Sequence, residues 1–200
     1  MPVDSQQSPF GRSPHDAAQR AAEIMDVLVP RPGSRDEATR LARTWDERAE
    51  LVAVLRAHGE PEPVEISDTD LAALRRAAAD LREVFAAGDV AAAADRINAL
   101  LAAHAHPPRL TSHGGGYGWH LHVDCDDEAS WAQWFLASSC LALAVLLAER
   151  QAPPARLCAS PSCGKPFVNV GRGSARRYCS PGCGTRERVA AHRGAGRVKS

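Results

Sequence analysis

The sequence predicts an α+β protein in two parts: a mostly helical N-terminal domain with a small antiparallel β-hairpin, and a small C-terminal module built around cysteines. Apolar residues recur at helical spacing through much of the first 150 residues, and a glycine triplet separates two short alternating segments. Four of the six cysteines fall within residues 158–183. Two hundred residues, 44% of them hydrophobic, suffice for one medium-sized core and a small module.

The N-terminal part begins with residues 1–13, which are rich in Ser, Gln and Pro and are predicted to be disordered. Apolar positions then follow a helical period over 16–28. After a turn containing two prolines, the same period resumes over 36–58, and a break in this second helix is expected near Asp46.

Two further helices follow a proline-rich acidic connector. Ser67 and Asp70 form a capping-box start for the first of them. Asp89 caps the second, which is expected to stop before Pro107. With the segments on either side, these helices make up a helical domain assigned to residues 14–152.

A β-hairpin is predicted where residues 109–113 and 117–123 flank the glycines 114–116. In the second strand, apolar side chains alternate with His120 and His122, so the imidazoles share one face. We favour the interpretation that this is the exposed polar face of a half-buried strand. The alternative is a second metal site or a catalytic site. Further ligands would then come from His113, Asp124 or Cys125.

Residues 129–148 contain no charged side chain over 20 positions, which is the length of a membrane span. A wholly apolar helix is also typical of the buried centre of a helical domain. We favour the buried helix, with Cys140 inside it, because the sequence offers no second span and no targeting segment. We therefore expect a cytoplasmic protein that does not associate with membranes.

Cys158, Cys163, Cys179 and Cys183 follow the pattern C-x4-C-x15-C-x3-C. Two short-spaced pairs can supply the four thiolates of a tetrahedral zinc site. Two disulfides or a catalytic thiol are the alternatives, and the lack of a secretory signal favours metal. We predict one structural Zn²⁺, which four thiolates would leave without an open position for water.

The segments around these cysteines predict a treble-clef-like zinc finger. The first pair lies in a turn containing Pro and Gly, which favours a metal-binding knuckle. The second pair opens a helix, with Ser180 as the N-cap and Pro181 at the first helical position. Between the pairs, residues 166–170 and 175–178 are expected to form a hairpin.

The formal net charge of zero hides a strong asymmetry. Residues 151–200 carry ten basic side chains and one acidic one, whereas residues 1–150 carry 14 basic and 23 acidic side chains. A basic segment of this kind favours a polyanionic partner such as double-stranded DNA. The alternative is that it docks on the acidic part of its own chain.

Six arginines of this segment are the candidate DNA contacts. Arg186 is the best candidate for a base contact, because it follows the metal ligand Cys183 by one helical turn. The others are expected mainly to contact phosphates. The full set is Arg172, Arg176, Arg177, Arg186, Arg188 and Arg193.

Residues 156–193, from Arg-Leu-Cys-Ala-Ser-Pro-Ser-Cys through Arg-Arg-Tyr-Cys-Ser-Pro-Gly-Cys-Gly-Thr-Arg, resemble the CGNR zinc finger. In that family the finger binds DNA and usually follows an ABATE domain, in bacterial transcription regulators linked to stress. Thr185 stands where the family usually has Asn. The resemblance implies an ABATE-like domain over 14–152, a finger over 155–194 and a disordered basic tail over 195–200.

The favoured function is therefore a zinc-binding, DNA-binding transcription regulator, with sensing of a small-molecule effector by the N-terminal domain as a further hypothesis. The alternative is a zinc-stabilised interaction module that holds a homodimer or another protein without contacting DNA. A third class is an enzyme that uses the histidine strand, and we expect that the protein is not an enzyme.

Overall fold

A computed structural model describes residues 13–29, 46–112, 115, 118–125, 129–169 and 176–197. Six helices and two small antiparallel sheets lie within these ranges, which confirms the predicted α+β fold class. In chain order the elements are α1 (Pro14–Leu28), α2 (Glu47–Ala57), α3 (Asp68–Phe85), α4 (Val90–His104), β1 (Arg109–Thr111), β2 (His120–His122), α5 (Trp131–Arg150), β3 (Ala155–Leu157), β4 (Pro166–Val168) and α6 (Pro181–Arg197).

The helix starts follow the local capping signals. Ser67 and Asp70 form the complete capping box of α3, each side chain accepting a hydrogen bond from the backbone N–H of the other. Asp89 caps α4 by accepting from the N–H of Ala92 at 2.8 Å. Asp46 caps α2, so a helix does begin at the expected break, while residues 36–45 of that predicted segment lie outside the described residues.

Helix α5 is the centre of the helical domain and packs against α1, α3 and α4. Phe135 and Leu143 are fully buried there, and Cys140 is buried beside them. By length and composition alone α5 would be long enough to cross a membrane, and 44% of the apolar window is buried inside the protein. Its packing agrees with the predicted central helix.

A buried charge lies beside α5. Arg20, on α1, is only 4% exposed and donates a hydrogen bond to Glu60 at 2.8 Å and another to Ser138 of α5 at 3.2 Å. Its guanidinium also lies 4.3 Å from the ring centroid of Trp134. The ion pair and the ring contact together compensate for the loss of water around this charge.

The predicted hairpin is present on either side of the glycine segment, with Leu110 opposite Leu121 and Thr111 opposite His120. Its orientation is largely opposite to the one we expected, although Val123 of the apolar face is buried. Trp119 is 71% exposed, whereas His120 is 8% exposed. The polar face can point inward because its side chains bond to one another and to the backbone, so burial leaves their polar groups paired.

The finger rests directly on the helical domain. Strands β3 and β4 contact α1 and α3, and the side chains of Ala155 and Val168 belong to the main hydrophobic core. Lys165 pairs with Asp26 of α1 at 3.1 Å, on the same side of the domain. The N-terminal strands of the finger are therefore part of the larger fold.

Two predictions about the finger were wrong in detail. Strand β4 pairs with β3, in the register Ala155 to Val168, and residues 176–178 form no strand. The knuckle itself is thus the turn of the hairpin. Helix α6 also runs past Gly194 to Arg197, so residues 195–197 are helical and only 198–200 of the predicted tail lie outside the described residues. Glycine costs about 1 kcal/mol in a helix and does not by itself end one.

Candidate metal centre

The sulfur atoms of Cys158, Cys163, Cys179 and Cys183 lie within 4.8 Å of one another. The Sγ of Cys179 is 3.7 Å from that of Cys163 and 3.8 Å from that of Cys183. Zinc–sulfur bonds of about 2.3 Å in a tetrahedron place the sulfurs about 3.8 Å apart. The four cysteines form a zinc-binding site for one structural Zn²⁺, as the sequence predicted.

The hairpin turn shapes the first half of the site. The N–H of Cys158 donates to the carbonyl of Lys165 at 2.9 Å, and the N–H of Cys163 donates to the carbonyl of Ser160 at 2.9 Å. Gly164 follows with a φ of 60°, a left-handed conformation that favours glycine. These bonds curl the backbone so that both sulfurs point to one side.

The start of α6 supplies the second half. Ser180 accepts a hydrogen bond from the N–H of Cys183 at 3.3 Å, and Pro181 is the first helical residue, as expected. A Cβ on Gly184 would lie 3.3 Å from the ring of Tyr178, so the small residue allows that ring to pack against the first turn. Cys183 is thereby fixed in the first turn, where the helix dipole favours a thiolate.

The protonation of the thiols shows why the cluster suits a cation. The Ser180 side chain, through its hydrogen bond, lowers the pKa of Cys183 to about 7. Burial, followed by the neighbouring sulfurs, raises the pKa of Cys179 well above its ordinary value. Four thiolates this close repel one another, and a divalent ion removes the repulsion while replacing their protons.

The two remaining cysteines stand apart from this cluster. Cys125 is exposed, with its thiol 3.5 Å from Gln133, whereas burial raises the pKa of Cys140 to about 12. The Sγ of Cys179 is 3.7 Å from that of Cys163 and 3.8 Å from that of Cys183, far longer than the roughly 2 Å of a disulfide. None of the six described cysteines forms a disulfide, and they fall into three classes of accessibility.

We expect a thiol-reactive dipyridyl disulfide to distinguish these classes. In the zinc-loaded protein, Cys125 should react rapidly, because it is exposed and lies outside the metal site. Adding a chelator should release the four cluster thiols, and Cys140 should react only on denaturation. Rapid reaction of more than one thiol before chelation would contradict this assignment.

One contact at the site was missed from the sequence. Ser160, in the knuckle, is buried and donates to Glu187 of α6 at 2.6 Å. Glu187 is the one acidic residue in the basic C-terminal segment, and that isolation was the available signal. The bond joins the two halves of the site independently of the metal.

The structure separates the predicted DNA-contacting arginines into groups. Arg176 donates to the carbonyl of Val168 at 2.9 Å, and Arg177 lies 5.7 Å from the ring of Tyr178. Arg186 is 3.4 Å from Ser162 and 3.8 Å from the sulfur of Cys183. Arg188 donates to Thr185 at 3.1 Å, and Arg193 is exposed on the same helix. Arg172 lies outside the described residues.

Comparison with known proteins concerns this part of the chain. The family model described as the CGNR zinc finger matches residues 155–194. No curated protein matched the chain. The suggested ABATE-like character of residues 14–152 remains a prediction. Residues 155–194 are a zinc-binding finger domain that is similar to the CGNR zinc fingers.

Proposed function

We propose that the protein binds double-stranded DNA through α6 and the residues at its base. The observation that carries this proposal is the exposure of a basic helix whose first turn is held by the zinc site. Side chains from Arg188 to Arg193 are all exposed, and two of them are arginines. An α-helix held in this way has the width to enter a major groove.

The arginines on α6 have different positions relative to the metal. Arg186 and Arg193 are seven residues apart and share one face of the helix. Arg186 is close to the zinc ligand Cys183, so its backbone is fixed and its side chain starts from a defined place. These properties support a base contact for Arg186 and phosphate contacts for Arg188 and Arg193.

Two arginines lie just before α6. Arg177 is exposed and its guanidinium lies near the Tyr178 ring, which leaves its charge accessible to a phosphate. Arg176 is also exposed, but it holds the carbonyl of Val168 and lies over the Phe167 ring. We therefore assign Arg177 chiefly to phosphate contact, and Arg176 both to that contact and to the fold of the finger.

We expect Arg193→Ala and Arg177→Ala each to weaken binding to every duplex alike. Each should reduce the slope of log Kobs against log salt concentration by about one unit, because one phosphate contact is lost. Fluorescence anisotropy with an arbitrary labelled duplex measures both quantities. Arg76→Ala, an exposed arginine on α3, is the control that should leave the slope unchanged.

Arg186→Ala should cost about 1–3 kcal/mol on a preferred site and relax its sequence preference. Because Arg186 also contacts Cys183 and Ser162, the zinc content and melting temperature of the variant must be measured in parallel. A folded, zinc-loaded variant with wild-type affinity and selectivity would show that Arg186 does not read bases.

A second candidate function is supported by one apolar side chain. Val189 lies on α6 among the arginines and is 43% exposed. An exposed apolar position on a basic helix also suits an acidic protein partner or a second copy of the chain. Protein binding would leave the affinity for arbitrary DNA low and its salt slope shallow.

The wider role is transcription regulation in the bacterial cytoplasm, with a link to stress, and it rests on the resemblance of the finger. The large helical domain beside a small DNA-binding module supports an effector-sensing role for residues 14–152. Four thiolates leave zinc without an open position, so the proposed function assigns no catalysis to this metal.

A further inference from the structure

A second cluster of side chains of the types that can bind metals lies at the β1–β2 hairpin, apart from the four cysteines. The Nε2 atoms of His120 and His122 are 3.0 Å apart. The Nδ1 of His120 is 2.8 Å from the carbonyl oxygen of Gly118. The Nδ1 of His122 is 2.9 and 3.0 Å from the two carboxylate oxygens of Asp124.

These partners determine where the imidazole protons lie. The carbonyl of Gly118 and the carboxylate of Asp124 only accept hydrogen bonds, so each Nδ1 must donate one. Arg109 donates to Asp124 at 3.1 Å and thereby favours its carboxylate form. In the neutral rings, both Nε2 atoms consequently carry a lone pair, and the two lone pairs approach each other within 3.0 Å.

Two facing lone pairs require a cation between them, either a proton or a metal ion. A linear N–H···N bond of 3.0 Å between these rings would separate the ring centroids by about 5.3 Å. Metal–nitrogen bonds of about 2.0–2.1 Å, in line with both rings, would separate them by about 4.7 Å. The observed separation of the centroids is 4.8 Å, with the rings inclined at 62°.

We propose that the Nε2 atoms of His120 and His122 chelate a divalent first-row transition-metal ion, at a site separate from the structural zinc. Nitrogens 3.0 Å apart subtend about 95° at such an ion, which suits the adjacent positions of an octahedral or tetragonal complex such as those of Ni²⁺ and Cu²⁺. Water or other ligands would fill the remaining positions. This proposal is independent of DNA binding.

The surroundings resemble those of protein metal sites. Metal-binding histidines generally donate the second ring N–H to a carboxylate or a backbone carbonyl, and His122 and His120 show one of each. His120 is buried, and so is Asp124, the partner of His122, so both rings are held in place before the ion arrives. The short spacing along one strand face makes both nitrogens available together.

The test uses the full chain with zinc already bound to the finger. Titration with Ni²⁺ in a calorimeter is expected to show one further ion per chain, while elemental analysis shows that zinc is retained. His120→Ala and His122→Ala should each lose this binding, and His192→Ala, an exposed histidine on α6, should retain it. Wild-type protein that binds no Ni²⁺, or variants that bind it as wild type does, would overturn the proposal.

Asp124→Asn provides a variant that keeps the size of the side chain and both metal ligands. Its weaker acceptor should orient His122 less well and reduce Ni²⁺ affinity about 10–100-fold. Circular dichroism and zinc content should match the wild type, which separates this effect from unfolding. Unchanged Ni²⁺ affinity in a folded Asp124→Asn protein would mean that Asp124 does not position His122 for the ion.

Discussion

Replacing Cys179 with serine is expected to remove the bound zinc and to unfold the knuckle together with α6. The Cys179 sulfur lies within 3.8 Å of those of Cys163 and Cys183, so its loss removes one of the four ligands of the tetrahedral site. Zinc binding to such a site contributes on the order of 10 kcal/mol to the folding of a finger. Elemental analysis should find no stoichiometric zinc in the purified variant.

The unfolding should stop at the strands. Although the finger was predicted as one module over 155–194, Ala155 and Val168 belong to the core of the helical domain. Hydrogen exchange should therefore lose protection in α6 while β3, β4 and the helices α1 to α5 keep theirs. An isolated helix of this length with four glycines is unstable in water without packing or metal.

Cys125→Ser is the matched control, because it makes the same chemical change at an exposed cysteine outside the site. Its zinc content should equal that of the wild type, and its stability should lie within about 0.5 kcal/mol. If Cys179→Ser retained one zinc under the same conditions, or kept α6 protected without it, the metal would not be what holds the finger together.

Arg20→Ala is expected to destabilise the helical domain by about 3–5 kcal/mol, the usual cost of removing one partner from a buried ion pair. The change leaves the Glu60 carboxylate, whose side chain is 15% exposed, without its partner at 2.8 Å. It also removes the guanidinium from the Trp134 ring. Urea denaturation followed by tryptophan fluorescence measures the loss.

Two further variants separate charge from packing. Arg20→Met combined with Glu60→Gln keeps an extended side chain near Trp134 and removes the unpaired carboxylate, so it should recover part of the stability. Arg76→Ala removes an exposed arginine and should change the free energy of unfolding by less than about 0.5 kcal/mol. If Arg20→Ala were as mild as Arg76→Ala, water would be replacing the lost contacts at Glu60.

The zinc site, the helix caps and the central helix were predictable from the sequence, because residues close together in the chain determine them. The spacing of the four cysteines predicted the zinc site, because a short loop or one helical turn brings each pair together whatever the rest of the chain does. The caps at Ser67 and Ser180 and the central position of α5 were predictable for similar reasons. Each depends on a side chain bonding a few residues away, or on one long apolar segment that must be covered.

Other features depend on partners distant in the sequence. Alternation determined that His120 and His122 share a face, but only packing decided that this face is buried and that Trp119 is exposed. Likewise β4 has a strand pattern that does not identify its partner, and β3 took that place across the knuckle. For the same reason, the sequence patterns did not identify α1 and α3 as the surface on which the finger docks. A periodic pattern states which side chains lie together, whereas the direction they face depends on which surfaces the folded chain brings against them.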